Sequence, residues 1–274
     1  MAAKKKASKP KAKPAPKAKA KKVLPKQVLK ATGAIKASAV KSAKKAAKGA
    51  KIRRTSGYEP AKAKPSARLV LYGVQPSTPS GKVALMLAMI GEPYDYRHVD
   101  LMGGAHKTPD YAKINRFQQV PALVDGEEVV VQSNVILQYL AEKFGKFGGK
   151  TPAERRRIAE WLAWDLDKLT TLGQVRFIRK FLKQPDHPAL AFVEARARAS
   201  LEYLDRHLGT SKFVAGMQPT IADIAIFGWI AVAEEAGFDP AHFPNLRDWA
   251  LRMLKLPGVA HPYALLPTED KVSA

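Results

Sequence analysis

The sequence predicts an α+β chain: a β-α-β, short α, β-β-α unit over 68–146 and an all-helical half over 151–265, behind a basic tail at 1–67. Three observations carry that expectation. Charge divides the chain, because 22 of its 47 Lys and Arg but only one of its 24 acids, Glu59, fall in residues 1–67. Asp125-Gly126 separates two apolar runs, Ala122 to Val124 and Glu127 to Val131, the pattern of a tight hairpin. Beyond residue 150 the apolar positions recur at helical spacing, as in Ile158, Trp161, Leu162 and Leu166.

The tail accounts for almost all of the net charge of +23. Residues 1–22 are nearly all Lys, Ala and Pro, too poor in apolar surface to offset the entropy of ordering, so disorder is expected there. From Val23 to Lys51 alanine and lysine favour helix once the charge is neutralised. In composition the tail resembles the Lys/Ala/Pro-rich tails of linker histones. A flexible polycation of this kind binds nucleic acid or another polyanion by releasing counterions; on the order of 8 engaged phosphates give a log-log salt slope of about −7. It carries neither stacking aromatics nor a groove-reading motif, so sequence selectivity is not expected, and a solubilising spacer is the other reading.

Absence of cysteine excludes disulfides, thiolate metal sites and a cysteine nucleophile, and no metal is expected. The longest apolar run, Val83 to Ile90, is too short to span a bilayer. With no secretory or transit pattern at the N-terminus, the expected compartment is the cytoplasm, with association to nucleic acid through the tail.

Within the mixed unit, Arg68 to Tyr72 reads as a strand broken by Gly73. Ser77-Thr78-Pro79 leads into a helix carrying Val83, Leu85, Met86, Met89 and Ile90, since proline suits a first helical turn. Gly91 ends it, Tyr94 to Leu101 forms the second strand, and a crossover of this length makes the pair parallel. Thr108-Pro109 opens a short helix to Ile114. After the hairpin, Ser133 is a natural N-cap for a helix ending at Phe144, with Gly145 beyond. Such a start offers backbone N–H groups and the positive end of a helix dipole to a carboxylate, or simply caps its own helix.

The helical half begins with the capping box Thr151-Pro152-Ala153-Glu154. Helices are expected from His187 to Leu208, from a second box at Thr220 to Asp223 as far as Ala236, and from Asn245 to Leu254, before a Pro-rich end. Arg176, Arg179 and Lys180 form a basic face that either favours anionic substrates or is merely solvated.

The segments LYGVQPSTPSGKVALMLAMIGEPYDYRHVDL, AHKTPDYAKINRFQQVPALVD and QSNVILQYLAEKFG resemble the thioredoxin-like N-terminal domain of cytosolic glutathione S-transferases, closest to the bacterial, theta and phi types. GMQPTIADIAIFGWI resembles the capping-box segment of that family's helical domain. The resemblance implies a homodimeric transferase using glutathione as cosubstrate. It assigns Ser77, or failing it Thr78, the hydroxyl that stabilises the glutathione thiolate. By the same resemblance, Val120 and Pro121, the latter cis, meet the cysteinyl part, and Gln132 and Ser133 hold the γ-glutamyl end. His106, Lys107 and Gln119 meet the glycyl carboxylate. Among the residues of the helical half, Trp161, Trp164 and Phe177 either line an acceptor pocket against Ser77 or, as aromatics at helical spacing more often do, pack into the core. Departures from the pattern are Gly81 in place of a larger residue, Arg116 after Asn115, Gln118 in place of glycine, and Gln132 in place of the commoner glutamate. Beside glutathione-dependent dehalogenation, isomerisation or peroxide reduction with the tail as a spacer, two functions remain open on this reading. One is conjugation of glutathione to an electrophilic small molecule by an enzyme whose tail binds nucleic acid. The other is a catalytically inactive dimeric scaffold of the same fold whose tail binds DNA, RNA or another polyanion.

Overall fold

The computed structural model describes residues 69–272; the tail predicted at 1–67 lies outside the described residues. Strand β1 (Leu69–Gly73) is followed by helix α1 (Thr78–Ile90) and strand β2 (Tyr94–His98), then by the short helix α2 (Pro109–Ile114). The hairpin β3 (Ala122–Asp125) and β4 (Glu128–Val131) and helix α3 (Ser133–Phe144) complete the sheet-bearing half. Strand order is β2-β1-β3-β4, with β1 and β2 parallel and both other pairs antiparallel. This is the thioredoxin-like arrangement, and an all-helical half follows it.

Alternation along β1 sets the two faces. Leu69 and Leu71 pack into the main core with α1 and α3, whereas Val70 and Tyr72 face the smaller cluster around Tyr111 of α2. The hairpin is displaced by one residue from its predicted centre. Asp125 pairs with Glu128, so Gly126 and Glu127 are the two central residues, and only Gly126 has a positive φ, +61°. Glycine at the first central position is what a two-residue hairpin of this kind requires.

Proline or capping side chains start several of the helices as the sequence predicts. Thr108 caps α2, Thr151 and Glu154 form the capping box of α4 (Pro152–Trp164), and Thr220 with Asp223 does the same for α7 (Ile221–Ile230). Between α4 and α7 lie α5 (Thr170–Arg176), flanked by π-helical turns at Asp165–Leu169 and Phe177–Leu182, and α6 (Leu190–Leu208). The α7 helix stops at Ile230 and a separate 3-10 turn covers Ala233–Ala236, where one continuous helix was expected. Asp223 explains why this capping box is buried. Its Oδ1 accepts from the Val214 N–H at 2.8 Å and the Trp249 indole at 2.9 Å, tying α7 to α8 (Pro244–Met253). Burial pushes the Asp223 carboxyl above its ordinary value against those hydrogen bonds.

The Pro-rich end does not trail away; it runs back over the sheet-bearing half. Pro262, opening the short helix α9 (Pro262–Leu265), lies so close to Gly81 that a Cβ at Gly81 would stand 2.7 Å from the proline Cβ. That contact accounts for the small residue at position 81. Farther on, Lys271 and Tyr96 exchange backbone hydrogen bonds of 2.7 and 2.9 Å, and the Asp270 carboxylate accepts from the His98 N–H at 2.7 Å, covering the free edge of β2.

Candidate functional site

Three chain segments meet at one end of the sheet, and the register places them. Tyr72 pairs with Ala122, which pairs with Val131. The turn after β1, the residues before β3 and the start of α3 after β4 therefore emerge side by side on three adjacent strands. Neighbouring strands are about 4.8 Å apart, so the outer two of these segments are separated by about 10 Å, the span of three extended residues.

On β1 the segment is the Ser77 turn. Ser77 is the N-cap of α1, half-buried, and its Oγ accepts from the Ser80 N–H at 3.2 Å, which leaves the hydroxyl proton free to donate elsewhere. Thr78, the alternative, is the first helical residue and buried; its Oγ1 lies 3.4 Å from an Arg176 nitrogen.

On β3 the segment is the loop ending at Val120-Pro121, whose peptide bond is cis, as the resemblance implies. Gln118, standing where glycine is common, adopts a left-handed φ of 53°. The loop tolerates it because Asn115 holds both sides of the turn. Its Nδ2 donates to the Gln119 carbonyl at 2.7 Å, its Oδ1 accepts from the Phe117 N–H at 3.0 Å, and the Tyr111 hydroxyl donates to the same Gln119 carbonyl at 2.8 Å. The Gln119 side chain itself is exposed, and the Val120 backbone takes no partner among the described residues.

On β4 the expected cap is corrected by one residue. Gln132, not Ser133, is the N-cap of α3, with φ 72° and ψ 116° and no side-chain capping bond; Ser133 is the first helical residue and is buried. A non-glycine residue held at positive φ costs about 1 to 3 kcal/mol and persists where surrounding structure fixes it. Here the distortion turns the Gln132 side chain out to solvent and leaves a twelve-residue helix with its first N–H groups uncapped. His106 and Lys107 occupy a 3-10 turn, Ala105–Lys107, between β2 and α2; His106 is half-buried with Nδ1 unpartnered, and Lys107 is exposed.

The acceptor residues expected from the helical half lie in two separate groups of rings. Trp164 packs edge-on against Trp161 at 5.2 Å and beside Tyr203 of α6 at 5.7 Å, a ring stack within the helical half. Phe177 is 53% exposed beside Phe181. The side chain that does reach the Ser77 turn is Arg176, only 5% exposed and so no part of a solvated basic face. It donates from Nη1 to the Pro76 carbonyl at 2.9 Å and from Nε to Glu235 Oε2 at 2.6 Å, and its Nη2 meets the Tyr263 hydroxyl. Lys180 pairs with the other oxygen of Glu235 and lies 3.2 Å from the same hydroxyl, while Arg179 is occupied by Glu194 at 2.8 Å. Burial pushes the Glu235 carboxyl up, but hydrogen bonds from Lys180 and Arg176 outweigh it and hold the group below its ordinary value. Arg176, Glu235 and Tyr263 come from distant parts of the sequence, and no local pattern in it assembles them.

A second charged cluster lies deeper. Lys82 of α1 and Asp165, both fully buried, pair at 2.6 Å, and Asn134 of α3 donates to the same carboxylate oxygen at 3.0 Å. The one signal for it in the sequence is a lysine directly before the apolar run Val83 to Ile90.

Family models agree with this layout. That for the glutathione S-transferase N-terminal domain matches residues 67–142, and that for the C-terminal domain matches 166–257. The chain is 34% identical over 166 residues to glutathione S-transferase 3 of Zea mays, over 57% of this chain and 74% of the maize protein. It is 30% identical over 203 residues to an uncharacterized GST-like protein of Streptococcus mutans, over 66% of this chain and 77% of that protein. A crystal structure of a glutathione transferase family member from Pseudomonas fluorescens with two glutathione bound superposes with TM-score 0.66 at 27% identity, over 75% of this chain and 95% of that one. Sheet, helices and sequence matches agree in both halves, and the chain belongs to the glutathione S-transferase family.

Proposed function

We propose that this protein binds glutathione across the end of the sheet and transfers it to an electrophilic small molecule. The observation that carries the reading is the alignment, at the ends of adjacent strands, of three groups with hydrogen-bonding capacity to spare: the Ser77 hydroxyl as donor, the Val120 backbone and the uncapped start of α3. An extended tripeptide of about 10 Å fits that spacing. Its γ-glutamyl carboxylate meets the N–H groups and dipole at Ser133, with Gln132 beside the ammonium. The cysteinyl backbone pairs with Val120 ahead of Pro121, and the glycyl carboxylate points toward Gln119, His106 and Lys107. The thiol then lies at the Ser77 turn, where a hydroxyl donor and the N-terminus of α1 both favour the thiolate. That sulfur attacks the electrophilic carbon, the leaving group departs with the bonding electrons, and the thiol proton passes to solvent.

The relative bound to glutathione and the family membership support this reading, and a homodimer is proposed with it. The test is retention on immobilised glutathione together with conjugation of a generic aromatic electrophile. Ser77→Ala is expected to lower kcat/KM about a hundredfold, as loss of one donor to a developing anion does. No binding at millimolar glutathione overturns the proposal. Binding without turnover, unaltered by Ser77→Ala, favours the scaffold reading instead. For residues 1–67 we propose polyanion binding, on charge alone; equal DNA shifts by full-length and truncated protein at low salt overturn it.

A further inference from the structure

We infer that Arg176 is a positioning residue for the Ser77 turn: it holds both residues that flank Ser77 and fixes a positive charge beside the place where the glutathione sulfur lies. This rests on the glutathione transferase reading above and adds a residue from the other half of the chain to its thiol site.

The geometry is specific. One guanidinium nitrogen serves the Pro76 carbonyl at 2.9 Å and Thr78 Oγ1 at 3.4 Å, the two immediate neighbours of Ser77, from about a hundred residues away in sequence. A turn whose preceding carbonyl is bound to a fixed donor cannot rotate that peptide, so the direction of the Ser77 hydroxyl becomes a property of the helical half as well. The guanidinium is itself fixed from other sides. Glu235 takes Nε at 2.6 Å, Tyr263 meets Nη2, and the Phe181 and Tyr263 rings lie 5.3 and 5.9 Å from its centre. The planar fork of arginine makes such divergent contacts at once, and a lysine ammonium does not.

Backbone packing sets the reach of this side chain. Gly173, one turn earlier on α5, lies so close to Trp229 of α7 that a Cβ there would stand 2.6 Å from the indole. Close approach of α5 to α7 brings Arg176 to the boundary between the halves, at the point where regular helix gives way to the π-helical turn Phe177–Leu182. Charged groups around the guanidinium are Glu235 and Lys180, with Tyr263 between them and His261 against the Tyr263 ring at 4.9 Å. Two cations and one carboxylate leave the cluster net positive, the sign that favours a thiolate. An arginine that merely bolted the halves together would need no contact with the Ser77 turn.

The experiment reads the ultraviolet thiolate absorbance of bound glutathione against pH in the full-length protein, with Arg176→Gln, Arg176→Lys and Tyr263→Phe. Wild-type protein is expected to ionise the bound thiol well below the ordinary thiol value of about 8.5. Arg176→Gln should raise that midpoint by about one unit, a tenfold loss of thiolate at a pH below it, and lower kcat by a similar factor while leaving glutathione affinity nearly unchanged. Arg176→Lys keeps charge but loses the fork and should fall between; Tyr263→Phe frees one side of the guanidinium and should give a smaller rise of the same sign. If Arg176→Gln fails to fold, Arg176→Lys and Tyr263→Phe carry the test. Bound thiol that ionises at the wild-type midpoint in every folded variant overturns the inference and leaves the transferase reading standing. Wild-type protein that binds no glutathione overturns both.

Discussion

Two ion-pair clusters join the halves of this protein, and they differ in one respect that decides what each does. Lys82 and Asp165 are completely dry, in contact with Asn134 and with the Trp229 ring 4.8 Å from the ammonium; Asp165 Oδ1 and Asn134 Oδ1 have no partner among the described residues. Arg176 is likewise buried, but its cluster opens to solvent through Glu235 and through Lys180, which is 38% exposed, and beyond the pairing with Glu235 its polar contacts go to the Ser77 turn and the returning C-terminal segment. A charge in dry surroundings loses hydration that its partner only partly replaces, whereas one at a rim keeps water as a ligand. Burial accordingly pushes the Lys82 ammonium below its ordinary value despite Asp165. The deep pair ties α1 to the helical half in dry surroundings, whereas the other cluster reaches the Ser77 turn.

The largest expected effect tests the deep pair. Lys82→Met leaves a buried carboxylate without its counter-ion and should cost about 3 to 5 kcal/mol, read as a lower midpoint in urea unfolding. The double substitution Lys82→Met with Asp165→Leu should recover most of that loss, because apolar replacement of a whole buried pair is often neutral. A double variant as unstable as the single one would break the contrast between the clusters.

Acid unfolding sharpens it. Glu235 has a folded-state pKa held below its unfolded value, so the stability it contributes is present above the ordinary carboxylate range near about 4.3 and is lost as pH falls through the lower folded value. Glu235→Gln should remove part of the acid limb of a stability–pH curve while leaving its shape above pH 6 unchanged. An unaltered acid limb would mean that Glu235 is not the group that responds.

The smallest effect sets the floor of the scale. Lys143 and Asp125 form an ion pair on the surface of the hairpin side, with Lys143 39% exposed and Tyr139 bonded to the same carboxylate at 2.6 Å. Lys143→Ala should cost less than about 1 kcal/mol in the same urea measurement, and less still at high salt. A larger loss would show that exposure does not rank these pairs.

What the sequence made legible was local. Thr151 and Glu154, Thr220 and Asp223, and the Asp125 to Glu128 turn each solve a backbone problem within three residues, so residue type and spacing reveal them. Two of the misplacements, one residue at the hairpin and one at the start of α3, arise where a positive φ decides the outcome. Gly126 was readable as such, but nothing marks Gln132 as willing to adopt 72°. The Ser77, Val120-Pro121 and Ser133 segments were legible through resemblance, and their common location follows from strand register. Arg176 with Pro76, and Lys82 with Asp165, were not legible, because the partners lie 100 and 83 residues apart and a charged side chain looks the same in sequence whether solvated or buried. The Pro-rich end was unreadable for the same reason, since Pro262 makes sense only against Gly81.

The returning C-terminal segment has one further consequence. A sheet that ends in an unpaired strand offers a row of N–H and carbonyl groups to any other extended chain, the ordinary route to edge-to-edge aggregation. Here Lys271 occupies those groups on β2, and the segment that carries it also supplies Tyr263 to Arg176. Protection of the sheet edge and support for the Arg176 contacts with the Ser77 turn are therefore entrusted to the same short stretch, and trimming it back to Pro262 would compromise both at once.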